Sequence, residues 1–282
     1  MCGDYIRTCL VSTLQRTRYA WAHFGAFAGC CFVALFAVRL RHQHRHAACV
    51  AANSHSQFGE DAALLPLLLH AANRMPGTFV ELGALDGTTF SNTLLLERCY
   101  NWTGLLIEAN AENYEQLQRA KRKAVSQHYA VCEAKHNNAT VRFSKQGGAV
   151  SAQLGAAGTG TSKSAKFLHE TVQVPCKPLR HLMASAGLRS AHFLSLDVEG
   201  AEEIVLSTVN PAVFSVVLVE VSGHAPAKDS RVLARLAAAG LFRLPTQRLA
   251  TASSDARFAK LNAVFVKNSS FGAGWLDRWL AK

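Results

Sequence analysis

Residues 192–206 read "HFLSLDVEGAEEIVL", and few folds accommodate that order. A largely apolar run meets two carboxylates, Asp197 and Glu199, then Gly200, and an amphipathic stretch begins at Ala201. A strand covered on both faces is continuously apolar, so the run predicts a buried parallel strand followed at once by a helix. The acids then stand at the carboxyl end of that strand. In open α/β sheets ligands bind in the crevice beyond those ends. Two charges are costly to bury there without a partner. The motif therefore predicts one wall of a site.

The rest of the chain keeps the same rhythm. Residues 56–74 have helical apolar spacing, with Ser56 as the N-cap and Glu60 and Asp61 in the first turn. Pro66 predicts a kink or a break in that helix. Residues 78–87 give a first strand running into a glycine-bearing loop, and 91–99 a helix. Strand 103–110, helix 111–123 and strands 126–132 and 139–143 follow. Residues 145–165, dominated by Gly, Ser, Ala and Thr, form either a cover over the site or an inert insertion. Extended structure resumes at 171–176 and a helix at 179–187. Beyond the acidic motif come strand 213–222, a helix over 231–239, and two strands within 241–249 and 261–267. Residues 273–282 read as a short amphipathic helix. Such alternation implies right-handed crossovers and a mostly parallel sheet.

The amino-terminal part is of a different kind. Residues 19–38 hold no formal charge unless His23 is protonated, and about 20 apolar residues suffice to cross a bilayer. Arg16 and Arg18 precede this stretch and Arg39, Arg41 and Arg45 follow it, so the positive-inside rule fixes no orientation. A cleaved signal peptide normally ends in small residues, whereas this stretch runs into "RLRHQHRH". The reading is an uncleaved signal-anchor in the endoplasmic reticulum or Golgi with a lumenal catalytic portion; an arginine-rich organelle transit peptide is the alternative. The chain then divides into a tail (1–18), the anchor (19–38), a basic stem (39–53), a catalytic domain (54–267) and a carboxyl-terminal tail (268–282). Residues 1–53 hold six arginines against Asp4 alone, +5 of the formal net charge of +11. No basic stripe interleaved with aromatics exists, so nucleic acid is not an expected partner.

Three sequons, Asn101-Trp102-Thr103, Asn138-Ala139-Thr140 and Asn268-Ser269-Ser270, favour a lumenal location. Cys49, Cys99, Cys132 and Cys176 lie beyond the anchor. They allow three complete disulfide pairings, or they are buried free thiols. No metal-ligand spacing accompanies them.

Acidic residues recur where strands end. Glu81 and Asp86 frame the first loop, Glu108 closes the second strand, and Asp197 closes the strand before Gly200. A carboxylate at the end of the second strand of a nucleotide-binding sheet can accept hydrogen bonds from ribose hydroxyls. Gly83 and Gly87 let the backbone approach a ligand closely. The first loop, "ELGALDG", is not Gly-x-Gly-x-x-Gly and puts two acids where a pyrophosphate would sit. That disfavours NAD and ATP and favours a cofactor with a ribose and a cationic end, such as S-adenosyl-L-methionine.

Together "SQFGEDAAL", "FVELGALDGTTFSNTLLLE", "WTGLLIEAN", "VPCKPLRHL" and "LSLDVEGAEEIVL" resemble the FkbM-type S-adenosylmethionine-dependent methyltransferases. The resemblance covers about residues 54–267. It implies a class I methyltransferase, a Rossmann-like, mostly parallel seven-stranded sheet with helices on both faces, here preceded by the transmembrane helix. It also implies methyl transfer to oxygen, with cofactor contacts at Glu81, Gly83, Glu108 and Asp197. Asp86, Gly87, Gln57 and Asp61 are further cofactor-binding candidates. Asp197, Glu199 and His224, which follows "VEVSG", are the catalytic candidates. Each has a plainer role open to it: Glu81 as a ligand of loop amides, Asp197 as a helix cap, Glu199 as a first-turn charge, and His224 as a solvated loop histidine. Asp197 and Glu199 alone do not make a metal site. The acceptor is expected to be a glycan or small-molecule hydroxyl. A non-catalytic lumenal binding module on the same fold and a nicotinamide-dependent dehydrogenase are the competing readings.

Overall fold

In the computed structural model, which describes residues 46–133, 139–144, 171–221, 223–246, 249 and 255–281, the apolar runs become strands of one sheet. In chain order the elements are α1 (Glu60–Ala71), β1 (Thr78–Leu82), α2 (Leu94–Tyr100), β2 (Thr103–Glu108), α3 (Ala111–Arg119), β3 (Val125–His128), β4 (Ala130–Val131) and β5 (Thr140–Ser144). They continue with β6 (Thr171–Lys177), α4 (Leu179–Ser185), β7 (Ala191–Leu196), α5 (Glu202–Ser207), β8 (Phe214–Glu220), α6 (Pro226–Ala238), β9 (Phe242–Leu244), α7 (Arg257–Leu261), β10 (Asn262–Val266) and α8 (Trp275–Ala281). The seven-stranded sheet runs β3-β2-β1-β7-β8-β10-β9, with a separate three-stranded sheet β4-β6-β5. Pairings from β3 through β8 are parallel; β10 is antiparallel to both its neighbours. The sheet is thus mostly parallel and Rossmann-like. The chain works outward from β1 to β3, then returns to β7 on the other side of β1, which makes the β1/β7 seam the topological switch point.

Strand residues alternate between two buried layers. Phe79, Leu106, Phe193, Val216, Leu218, Val264 and Val266 join Leu64, Leu67 and Leu68 of α1 on one face. Val80, Leu105, Leu194, Val217, Val219 and Phe265 join Leu182 of α4, Val205 of α5 and Val232 of α6 on the other. Both faces are therefore covered, which is why these strands read as unbroken apolar runs.

The chain forms two units, Met1–Ala51 and Ala52–Lys282. Of the first only residues 46–51 are described, as helix. The expected membrane span at 19–38 lies outside the described residues, as does the 145–165 segment. Among the described residues no helix is long and apolar enough to cross a membrane.

Several local expectations are corrected. α1 begins at Glu60 behind Gly59, which holds the N-cap position with a φ of 77°; Ser56, three residues before it, still accepts the first-turn Asp61 N–H at 3.2 Å and donates to Asp61 Oδ1 at 2.6 Å. The helix also continues through Pro66. Pro66 is exposed, so the carbonyl deprived of its partner lies toward solvent, while Leu64, Leu67 and Leu68 pin both halves to the core. α2 starts three residues later than the pattern implied, because Ser91 and Thr93 bond to Glu81. α6 starts earlier, at Pro226, a residue suited to a first helical turn. Strand 126–132 is two strands: β3 pairs with β2, and past Tyr129 the chain joins β6 of the smaller sheet.

That smaller sheet is held by a disulfide, Cys132–Cys176, with a sequence separation of 44. The β4–β6 ladder it reinforces is only two residues long. Replacing both cysteines by serine is expected to cost about 2–4 kcal/mol, read as a lower guanidinium midpoint for the full chain. An unchanged midpoint would show that the bridge contributes nothing.

Candidate active site at the strand tips

Pairing register sets the site. Two residues beyond Phe79, Leu106, Phe193 and Leu218, on the same face of the sheet, stand Glu81, Glu108, Ser195 and Glu220 at the carboxyl ends of β1, β2, β7 and β8. Antiparallel β10 contributes Asn262 opposite Glu220. One step past the Leu196–Val219 pair, Asp197 comes level with Glu220. The two carboxyls are hydrogen-bonded to each other, which requires one shared proton.

At the switch point the backbones of β1 and β7 nearly touch. Asp197 N–H donates to Leu82 O at 3.4 Å, and Gly83 and Ala84 donate to Ile107 O at 3.1 and 3.2 Å. Gly83 has φ 77°, and a Cβ there would lie 2.0 Å from the Asp197 carbonyl oxygen. Only glycine fits.

The loop after β1 is folded by its own acids. Glu81, 3% exposed, accepts from Asn92 N–H at 2.7 Å, Ser91 Oγ at 2.9 Å and Thr93 Oγ1 at 2.5 Å. Asp86 accepts from the Thr88 and Thr89 amides and the Thr89 hydroxyl. Partial burial opposes ionisation of Asp86, but these bonds outweigh it and hold its pKa below the ordinary value. Behind the loop, Arg122 donates to Gly87 O at 2.6 Å and Thr93 Oγ1 at 2.9 Å and pairs with buried Glu97 at 3.2 Å. Burial raises the pKa of Glu81 despite the nearby guanidinium.

Above the strand tips lies a cavity of about 230 Å³. Toward β2 its wall is Ile107, Glu108, Asn113, Tyr129, Val131 and Phe143; toward β7 and β8 it is Ser195, Asp197, Glu199 and Glu220; Gln57, Phe58 and Phe90 close it from the side. Glu108 is oriented by the Leu85 and Asn110 amides, at 2.8 and 2.7 Å, and burial pushes its pKa up to about 7. Asp197 lines the cavity and is reached by solvent there. The surrounding protein, then the charges of Glu220 and Glu202, raises its pKa above the ordinary aspartate value. Burial and neighbouring carboxylates likewise bring Glu199 and Glu220 to about 7. The nearby cation Lys228 is committed to Glu202 at 2.6 Å and Asp229 at 3.2 Å. Glu202 in turn accepts the Gly200 N–H at 3.0 Å. Glu199 holds φ 53°, a left-handed conformation that costs a residue with a side chain about 1–2 kcal/mol.

The family profile described as Methyltransferase FkbM domain matches residues 81–242, more than half of the chain. The chain belongs to the FkbM methyltransferase family. Among curated proteins, none matches its sequence. Two similar solved structures are the O-methyltransferase from Bacillus cereus in complex with SAH (12% identity, 80% of this chain and 88% of that one, TM-score 0.38) and the precorrin-6y C5,15-methyltransferase from Geobacter metallireducens GS-15 (9% identity, 64% and 70%, TM-score 0.34).

In this FkbM domain the cavity brings together Gln57, Glu81, Gly83, Glu108, Asp197 and Glu199 of the expected residues. It leaves out four. Asp86 is spent on its own turn. Gly87 is a packing glycine, since a Cβ there would meet Leu117 Cδ1 at 2.4 Å. Asp61, 1% exposed, anchors the 54–57 segment through Ser54, His55 and Ser56 and so positions Gln57 rather than a ligand. His224 is exposed and not part of the cavity wall, because the chain leaves β8 toward solvent before α6 begins. Sequence reasoning missed Glu220. Its signal was available: "VVLVEV" is another apolar run ending in an acid. Asn92, Asn113, Tyr129 and Phe143 carried none.

Gly83→Ala is expected to destabilise the domain by at least about 2 kcal/mol, from backbone overlap and the left-handed φ together. Chemical denaturation checks this; wild-type stability in that variant would mean the β1/β7 seam is looser than described.

Proposed function

We propose that this protein is an S-adenosylmethionine-dependent methyltransferase acting on an oxygen of a glycan or small-molecule hydroxyl. The observation that carries the reading is the convergence of Glu108, Gly83 and the Asp197–Glu220 pair on one cavity at the β1/β7 switch point. The side chains present suit that cofactor. The apolar wall of Ile107, Val131 and Phe143 beside Glu108 suits a base joined to a ribose, and the acids toward β7 and β8 suit cationic groups. A dehydrogenase reading gains nothing, because Glu81 and Asp86 fill the first loop where a pyrophosphate would need amides.

When bound, S-adenosylmethionine supplies an electrophilic methyl on a sulfonium. The chain's task is then to hold and align. Glu108 orients the ribose, bare Gly83 admits close approach, and the carboxylates beside β7 and β8 favour positive charge. Alignment of reacting atoms can be worth an effective molarity of about 10⁵ M or more. A base contributes about 10²–10⁴-fold. Positioning therefore dominates, and the ionised member of the Asp197, Glu199 and Glu220 group takes the acceptor's hydroxyl proton.

Two measurements test this reading on the full chain. Glu108→Gln keeps the side-chain shape but loses the charge, and is expected to weaken S-adenosylmethionine binding about tenfold or more in calorimetric titration. Undiminished affinity would remove Glu108 from the cofactor site.

The second is pH dependence. Glu199 and Glu220 titrate near 7 among Asp197, Glu202, Glu60 and Lys228. A cation binds their ionised forms better, so its binding releases protons. Affinity for S-adenosylmethionine is expected to rise from pH 6 to pH 8, by up to about tenfold per pH unit for each proton released. S-adenosylhomocysteine, with its neutral sulfur, is expected to respond less. For the free protein the sign reverses: pKa values raised on folding mean that stability from these groups is lost as pH climbs through 7. Equal pH slopes for the two ligands would refute the charge-sensing role of the acids.

A further inference from the structure

Two of the three sequons fall on described residues, at one end of the sheet; their surroundings differ, for Asn101 follows a helix while Asn268 opens a 3-10 turn whose Ser270 Oγ donates to Ser215 Oγ at 3.0 Å. Asn101 is exposed at the carboxyl end of α2, immediately before β2, and Thr103 is exposed at the first position of that strand. Asn268 is exposed just after β10. β2 runs parallel to β1, so its beginning lies at the end of the sheet away from the cavity. β10 runs the other way: Asn262 meets Glu220 at the cavity end, whereas Val266 meets Val216 at the far end. Both asparagines therefore sit at the pole opposite the cavity, about 17–20 Å away along the strands. Neither carboxamide has a hydrogen bond among the described residues.

A second observation concerns the compartment. Cys132 and Cys176 are bridged, and structural disulfides form and persist in oxidising compartments such as the secretory lumen. Neither observation depends on what the cavity binds.

We propose that Asn101 and Asn268 are N-glycosylation sites, modified in the secretory lumen, and that their glycans occupy the pole remote from the cavity. The carboxamide Nδ2 forms a bond to the anomeric carbon of an oligosaccharide carried on a lipid diphosphate. The bond from that carbon to the diphosphate oxygen breaks, the lipid diphosphate leaves, and the nitrogen gives up one proton. Asn101 also has a local reason to be asparagine, since its φ of 54° is one that asparagine tolerates. Thr103 has no such constraint. It completes the acceptor triplet with a hydroxyl free of hydrogen bonds among the described residues. The arrangement makes glycans compatible with an open site: they are bulky and solubilising, and here they stand behind the sheet.

The experiment reads occupancy directly. The full chain is produced in cells with a secretory pathway, recovered, and treated with a peptide N-glycosidase in heavy-oxygen water. Peptide mass spectrometry then detects conversion of each modified asparagine to labelled aspartate. Labelling at both 101 and 268 is the expected result. Asn101→Gln disturbs a helix end, so Thr103→Ala serves as the variant that removes the triplet alone. It is expected to abolish labelling at 101, with Thr103→Ser retaining it, and Ser270→Ala does the same for 268. Unlabelled Asn101 and Asn268, whether the chain is recovered from secretory membranes or from another compartment, would overturn the proposal. Labelling at one position only would overturn the assignment of the other. The readout is independent of methyl transfer, so it stands or falls separately from the cofactor reading.

Discussion

The approach of Gly83 to the Asp197 carbonyl is the contact on which the site rests. It joins the two strand tips at the reversal of strand order, and it leaves no room for a side chain between them. Because the backbones meet there, the residues on either side open outward rather than across the seam. Glu108 and the loop after β1 frame one side of the resulting cavity, and Asp197, Glu199 and Glu220 frame the other. A wider seam would let a side chain fill the space that the acids now border.

Around that seam the protein carries an electrostatic load it does not neutralise. Asp197, Glu199, Glu202 and Glu220 crowd together, while Lys228 is engaged by Glu202 and Asp229. Burying carboxylates without cationic partners is unfavourable, and the result is a raised pKa at Asp197 and values of about 7 at Glu199 and Glu220. Such a cluster is poor design for stability alone. It suits the cationic ligand proposed for this cavity. By contrast, the acids around the first loop are fully engaged: Glu81 with Ser91, Asn92 and Thr93, and Glu97 with Arg122. The same residue type thus folds one wall and, as Asp197, Glu199 and Glu220, lines the other.

Most of the sheet was legible because periodicity and strand-end chemistry are local. The apolar runs closing in Glu81, Glu108 and Asp197 marked true strand ends, while the register that sets these acids on one face came only from the pairing of the strands. What stayed hidden depended on long-range pairing. The split at Tyr129 required knowing that Ala130 and Val131 pair with β6, more than forty residues on. The structural duties of Asp61, Asp86 and Gly87 arise from hydrogen bonds and packing that composition does not reveal. His224 drew attention by its type, while its position past the end of β8 places it in solvent outside the cavity wall; Glu220, four residues earlier, lines the cavity. Nothing in the sequence singled out Arg122, yet its buried guanidinium ties the first loop together.

Glu199 carries a further implication. A glutamate held at φ 53° strains the backbone where glycine would not, so relaxing that turn takes a single substitution. The same substitution would strip a carboxylate from the cavity wall, so backbone comfort and the negative charge of that wall oppose one another at this position.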